Sequence, residues 1–203
     1  MAHGAGLEER RATIVAAAVR VLARDGITAT TTRKIATEAG VNQAMIGYYF
    51  GGKDELLHAV LLEMMRRTGE IASASLPEHH RFAEALTDAV GAFWRHVEQS
   101  PELQVMQYEL TLYALRRPES AWLARSQYEG YCAVVADLIQ RVCDATGEEP
   151  AEPPESLARF IVAGLDGVIL QFISSRDSVR ARDDVRRLVQ ATLALARGAH
   201  APA

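Results

Sequence analysis

Between residues 31 and 53 stand cations, hydroxyls and amides whose types and spacing suit the capture of a polyanion. The stretch Arg33 to Leu57 reads RKIATEAGVNQAMIGYYFGGKDELL, and its Lys34 and Lys53 are the only lysines in a chain of 203 residues. Thr31 can cap a short helix with its hydroxyl, which puts Thr32, Arg33 and Lys34 in the first turn. Lys53 follows Gly51-Gly52 at the start of another helix. A helix N-terminus already carries partial positive charge, so a cation there costs stability. The cost makes sense if an external anion docks, because N–H groups, hydroxyls and cations gathered at helix N-termini make phosphate sites. Between the lysines, Asn42, Gln43, Ala44, Gly47 and Tyr48 share the outward face of a short helix at about residues 42–49. Gln43 suits a bidentate pair with adenine and Ala44 a thymine methyl. Gly47 in mid-helix costs about 1 kcal/mol relative to alanine, which close approach of DNA would justify.

The elements that must position these groups follow from periodicity. Ile14, Ala17, Ala18, Val21 and Leu22 form one apolar stripe of a first helix over about 7–24. Gly26 suits a left-handed cap at its end. A second helix runs to about Ala39 and breaks at Gly40; Asn42 caps the third. Small Ala36, turn-forming Gly40 and Ile46 on the far side of the seam give helix-turn-helix spacing. Ile35, Val41 and Phe50 complete a small core. An ordinary helical hairpin would share that spacing; the placement of the cations favours the DNA-binding reading.

Beyond Lys53 the chain reads as long helices at about 53–73, 81–99, 101–117, 119–145, 154–174 and 183–197. The joint Thr146–Ser156, TGEEPAEPPES, is acidic and proline-rich, and is expected to be a mobile linker. The expected fold is all-α with about nine helices: a DNA-binding domain over 8–53 and a larger ligand-binding and dimerisation domain over 54–203. Charge divides the same way. Residues 1–53 carry +3 and residues 54–203 carry −7, within a net charge of −4. A basic module on an acidic body points to a nucleic-acid partner for the module alone.

Several classes are disfavoured. No paired carboxylates, nucleophile constellation or phosphate loop is present, so no enzyme and no cofactor are expected. His79-His80 lies in a turn without nearby Cys or Asp, and His58 and His96 are isolated, so no metal is expected. Cys132 and Cys143 lie eleven positions apart, about 16 Å along a helix, too far for a disulfide. No uninterrupted apolar run reaches the ~18 residues that span a bilayer, and the first residues lack an apolar signal core. A cytoplasmic protein without a membrane partner is expected.

The segment ARDGITATTTRKIATEAGV followed by NQAMIGYYFGGKDELL resembles the TetR family of bacterial transcriptional regulators over about residues 10–60. The shared pattern is T-x-x-x-I-A-x-x-A-G-V, then an aromatic pair with Phe50, a small-residue pair and a lysine. The resemblance implies a homodimer whose third helices read successive major grooves of a palindromic operator, and phosphate contacts by Thr32, Arg33, Tyr48 and Lys53. Many members carry an aromatic at the position of Gly47; here Tyr48 and Tyr49 both remain open for that role. It also implies a repressor released by a small effector. The competing reading is a helical small-molecule or lipid-binding module without DNA binding.

Candidate pocket residues are Trp94, Met106, Gln107, Tyr108, Tyr113, Trp122, Tyr128, Tyr131, Phe160 and Phe172, with Glu109 and Asp166 as carboxylates amid apolar neighbours. Aromatics with a few polar groups suit a mainly apolar effector. The helix at 154–174 is apolar nearly all round, so a second copy of the chain is expected to cover one side. Phe160, Gly164, Leu165, Val168, Leu188 and Leu193 are the expected interface residues.

Overall fold

The computed structural model describes residues 2–74 and 81–198, with side chains from Leu7 onward. The turn expected at Pro77 and His79-His80 lies outside the described residues. Nine α-helices and one 3-10 turn make up the ordered elements among them: α1 (Ala2–Ala29), α2 (Thr32–Ala39), α3 (Gln43–Phe50), α4 (Lys53–Ser73), α5 (Phe82–Gln99), α6 (Pro101–Leu115), η1 (Pro118–Ser120), α7 (Ala121–Thr146), α8 (Pro154–Ser175) and α9 (Ser178–Ala196). The all-α expectation holds.

The chain forms two compact units. One comprises residues 1–64 and 102–127, the other 65–101 and 128–203. In the first, α1 buries Ile14, Ala17, Ala18, Val21 and Leu22, as its stripe requires. Helical geometry breaks at Gly26, but not in the expected left-handed form: φ 74° and ψ 165° place it in extended backbone of positive φ, and one more helical turn comes after it. Thr31 and Asn42 cap α2 and α3 by accepting from the N–H groups of Lys34 and Ala44 at 3.2 and 2.9 Å. Gly40 closes α2 in the left-handed conformation (φ 66°), and the Val41 N–H donates to the Ala36 carbonyl at 3.0 Å. Ile35, Ala36, Ile46 and Phe50 are buried between α1, α2 and α3, and the Arg11 guanidinium lies 5.2 Å from the Phe50 ring centre.

In the second unit α8 packs on α9, and α9 on α5. Leu157, Ile161, Leu165, Ile169 and Phe172 form the buried stripe of α8. Periodicity puts Phe160 on one side with Leu157, Ile161, Leu165 and Phe172, and Ile169 on the other with Val162, Leu170 and Ile173; in the structure Phe160 falls outside the buried stripe and Ile169 inside it. The 3.6-residue period resolves poorly when both faces are apolar. Averaged over 18 residues, α8 is apolar enough to span a bilayer (mean hydropathy 1.6), which corrects the count of uninterrupted runs. Arg159 and Asp166 inside it would be costly in hydrocarbon, and its buried stripe behaves as a core face. Helix α9 starts earlier than expected because Asp177 caps it, accepting from the Arg180 N–H at 3.0 Å.

The acidic joint expected to be mobile is tied down. Glu148 accepts from the Phe82 N–H at 3.0 Å, and the Ala151 N–H donates to the Ala196 carbonyl at 2.7 Å. Cys132 and Cys143 are free thiols.

Candidate nucleic-acid interface

Helix α3 displays the face that its sequence suggests. Asn42, Gln43, Ala44 and Gly47 are exposed, and Tyr48 is 74% exposed. Tyr49 is half-buried and stands edge-on to Tyr48 at 5.3 Å. Thr32, Gln43, Ala44, Gly47, Gly51, Gly52 and Lys53 line one groove of about 500 Å³. Five of the eight expected DNA-contacting residues, Thr32, Gln43, Ala44, Gly47 and Lys53, thus meet in one groove, while Arg33, Asn42 and Tyr48 are not part of its lining. The Gln43 amide donates to the Thr32 hydroxyl at 3.1 Å, which orients both across the turn. Arg33 is exposed beside them. A Cβ on Gly47 would meet nothing within 4 Å, so nothing inside the chain requires glycine there.

The cations divide into two groups. Lys34, read from the sequence as a second clamp, is paired with Asp25 at 2.9 Å, across the bend at Gly26 within α1. Arg24 pairs with Asp25 at 2.8 Å and with Glu38 at 3.3 Å, and Arg20 with Glu38 at 2.9 Å. Hydrogen bonds from Arg24 and then Lys34 hold the Asp25 carboxyl down at about 2. The ordinary carboxyl value is about 3.9, so this pairing contributes stability at pH values above that. The contribution is lost as the pH falls through about 2. An NMR titration of the Asp25 carboxyl is expected to show a midpoint near 2; an ordinary midpoint would exclude the pairing in solution.

Lys53 belongs to the other group. Its ammonium lies 5.3 Å from the Tyr113 ring centre, with the Thr30 carbonyl at 3.5 Å. Burial, then the charge of Arg117, holds its pKa below the usual lysine value. The Tyr113 hydroxyl donates to Asp54 at 3.2 Å, and the Ser120 hydroxyl to the other oxygen of Asp54 at 2.5 Å. Burial and the Asp54 charge raise the Tyr113 phenol.

One helical turn back on α6, Glu109 accepts from the Ile27 N–H at 2.8 Å. Its carboxylate would lie 3.0 Å from a Cβ on Gly26. Glu109 therefore caps the backbone just past the bend, while Thr30 closes the same turn by donating to the Gly26 carbonyl at 2.7 Å. Sequence reading missed Gly26, Thr30, Asp54, Ser120 and Arg117 as supports of this face. The Asp-Gly dipeptide was the one local signal, because the other partners are far away in the chain.

Of the effector-pocket candidates, Met106, Gln107, Glu109, Tyr113 and Trp122 belong to the first unit, and Trp94, Tyr128, Tyr131, Phe160 and Phe172 to the second. Gln107 is buried and donates to Gln104 at 3.3 Å; Thr111 donates to Gln127 at 2.9 Å. Trp122 is 41% exposed and stands edge-on to His58 at 5.0 Å. Trp94 and Phe172 are buried and meet edge to face at 5.4 Å. Burial raises the Tyr131 phenol well above its ordinary value. On the α8–α9 pair, Gly164 admits the Leu188 side chain, whose methyl carbons would clash with a Cβ at that position. Leu165 is buried, Val168 and Leu193 half-buried, and Phe160 exposed.

Comparison with known proteins gives the family. Residues 14–60 match the family model "Bacterial regulatory proteins, tetR family". Residues 77–195 match "Tetracyclin repressor-like, C-terminal domain". The chain is 27% identical over 186 residues to the HTH-type nicotine-responsive transcriptional repressor HdnoR of Paenarthrobacter nicotinovorans, covering 91% of this chain and 94% of that protein. It is 32% identical over 157 residues to the HTH-type transcriptional regulator BetI of Vibrio parahaemolyticus, covering 66% and 79%. A TetR-family transcriptional regulator from Rhodococcus sp. superposes with a TM-score of 0.77 at 22% identity, covering 93% and 99%; at that identity the likeness speaks for the fold alone. Matched both across its helix-turn-helix and across most of the helices beyond it, the chain belongs to the TetR family of bacterial regulatory proteins and is a transcriptional regulator.

Proposed function

We propose that the protein is a repressor that binds a palindromic operator as a homodimer, reads each half-site with α3, and is released by a small, mainly apolar effector. The observation that carries the DNA reading is the single exposed groove shared by Thr32, Gln43, Ala44, Gly47 and Lys53. Gln43 and Ala44 face base edges, Asn42 and Gly47 let the backbone come close, and Thr32, Arg33, Tyr48 and Lys53 hold phosphates. Of the two tyrosines, Tyr48 takes the backbone contact, since it is the exposed one. Dimerisation uses the outer stripe of α8, where Phe160, Ala163, Gly167 and Leu170 are exposed at helical spacing. Two copies put two α3 helices on one duplex, which matches a two-fold operator. The effector reading rests on the matched C-terminal domain and on the relative whose name calls it nicotine-responsive. Such an effector lowers DNA affinity by binding better to the form that binds DNA less well.

A duplex selected from a randomised library provides the test. Gln43→Ala is expected to relax preference at one base pair of each half-site by about 1–3 kcal/mol. Lys53→Gln is expected to weaken binding to all sequences alike. Gel-shift titrations on the selected duplex and its single-base variants check both. A Gln43→Ala protein with unaltered base preference would remove α3 as the reading helix.

A further inference from the structure

We infer that Arg117, at the end of α6 and outside the helix-turn-helix, is a further phosphate-contacting residue that works beside Lys53. The inference rests on the DNA-binding reading above and adds a residue to that surface. The Tyr113 ring carries two cations, the Lys53 ammonium at 5.3 Å and the Arg117 guanidinium at 4.0 Å from its centre. Arg117 is exposed, and the one hydrogen bond of its guanidinium among the described residues is a long one of 3.4 Å to the Tyr113 carbonyl. Among those residues, neither Lys53 nor Arg117 has a carboxylate at ion-pairing distance. Asp54, the acid closest in sequence to Lys53, is engaged by the Tyr113 and Ser120 hydroxyls. Arg20, Arg24 and Lys34, by contrast, are neutralised by Asp25 and Glu38.

Two like charges on one ring repel each other: burial first, and then the Arg117 charge, depresses the Lys53 pKa. The ring attracts both cations but supplies no counter-charge. An anion reaching both would relieve the repulsion. Lys53 also lines the groove with Thr32, Gln43 and Gly47, so a nucleic-acid backbone seated there passes the cation pair. The competing reading is that Arg117 only complements the C-terminal end of the α6 dipole and stacks on Tyr113.

Salt dependence separates the two readings. Binding of the full-length protein is measured over a salt series on a random-sequence duplex and on a duplex selected by the wild-type protein. Arg117→Gln is expected to weaken both complexes by the same factor. It is also expected to flatten the plot of log K against log salt by about 0.9 for each phosphate that is no longer neutralised. Arg117→Lys keeps a charge that pairs with phosphate and is expected to restore most of the slope, which guards against misfolding as the cause. An unchanged slope in Arg117→Gln, with or without a loss of affinity, while Lys53→Gln flattens it, overturns the inference and leaves the DNA-binding reading intact. Failure of the wild-type protein to hold either duplex in dilute salt overturns that reading, and the inference with it.

Discussion

Ile46→Ala is expected to cost about 2–5 kcal/mol of stability and to abolish operator binding. Ile46 is 2% exposed and is the α3 residue that fills the seam with Ile35 and Ala36 of α2. Helices of eight residues have no stability of their own in water, so α2 and α3 hold their shape through this small core. Truncating this plug leaves a cavity that two short helices cannot fill by relaxing. Total stabilities are about 5–15 kcal/mol, so the loss is a large share. Amide hydrogen exchange is expected to rise across residues 32–50 more than in α9, with denaturant unfolding giving the free energy. A loss below about 1 kcal/mol with unchanged exchange would mean that α3 is held some other way.

Gly26→Ala is expected to cost about 1–3 kcal/mol from backbone alone, since the extended region of positive φ is open almost only to glycine. The new Cβ would also press on the Glu109 carboxylate at 3.0 Å. Removing that carboxylate by Glu109→Ala leaves the Ile27 N–H without its acceptor, at about 1–3 kcal/mol. Glu109→Gln keeps an acceptor oxygen and is expected to cost less than Glu109→Ala. Because the two residues touch, the double variant Gly26→Ala/Glu109→Ala is expected to lose less than the two single losses combined. Denaturant unfolding of all four proteins is the measurement. Simple additivity would show that the carboxylate does not sit against the bend in solution.

The helix-turn-helix was legible because its determinants are local. Thr31 and Asn42 cap within three residues of themselves, Gly40 ends α2 where only a left-handed residue fits, and the burial of Ala36 and Ile46 follows from spacing. The supports of that module were not legible. Glu109 finds Ile27 across 82 positions, and no pattern in one sequence links a lone carboxylate on one helix to an N–H of another. Lys34 was assigned to phosphate on its position in a helix, and the pairing with Asp25 depends on how the chain bends at Gly26. Helix α8 was assigned in length but not in facing, since Phe160 and Ile169 are equally apolar and only packing tells them apart. The early start of α9 was readable: Asp177-Ser178 is an N-cap signal of the same kind as Asn42-Gln43.

The tethered joint between α7 and α8 has a consequence for handling the protein. A segment with three prolines and a run of acids has the composition of a protease-sensitive hinge. With Glu148 latched to the head of α5 and Ala151 to the tail of α9, it behaves as a buckle, and limited digestion should spare it for as long as those two helices stay folded.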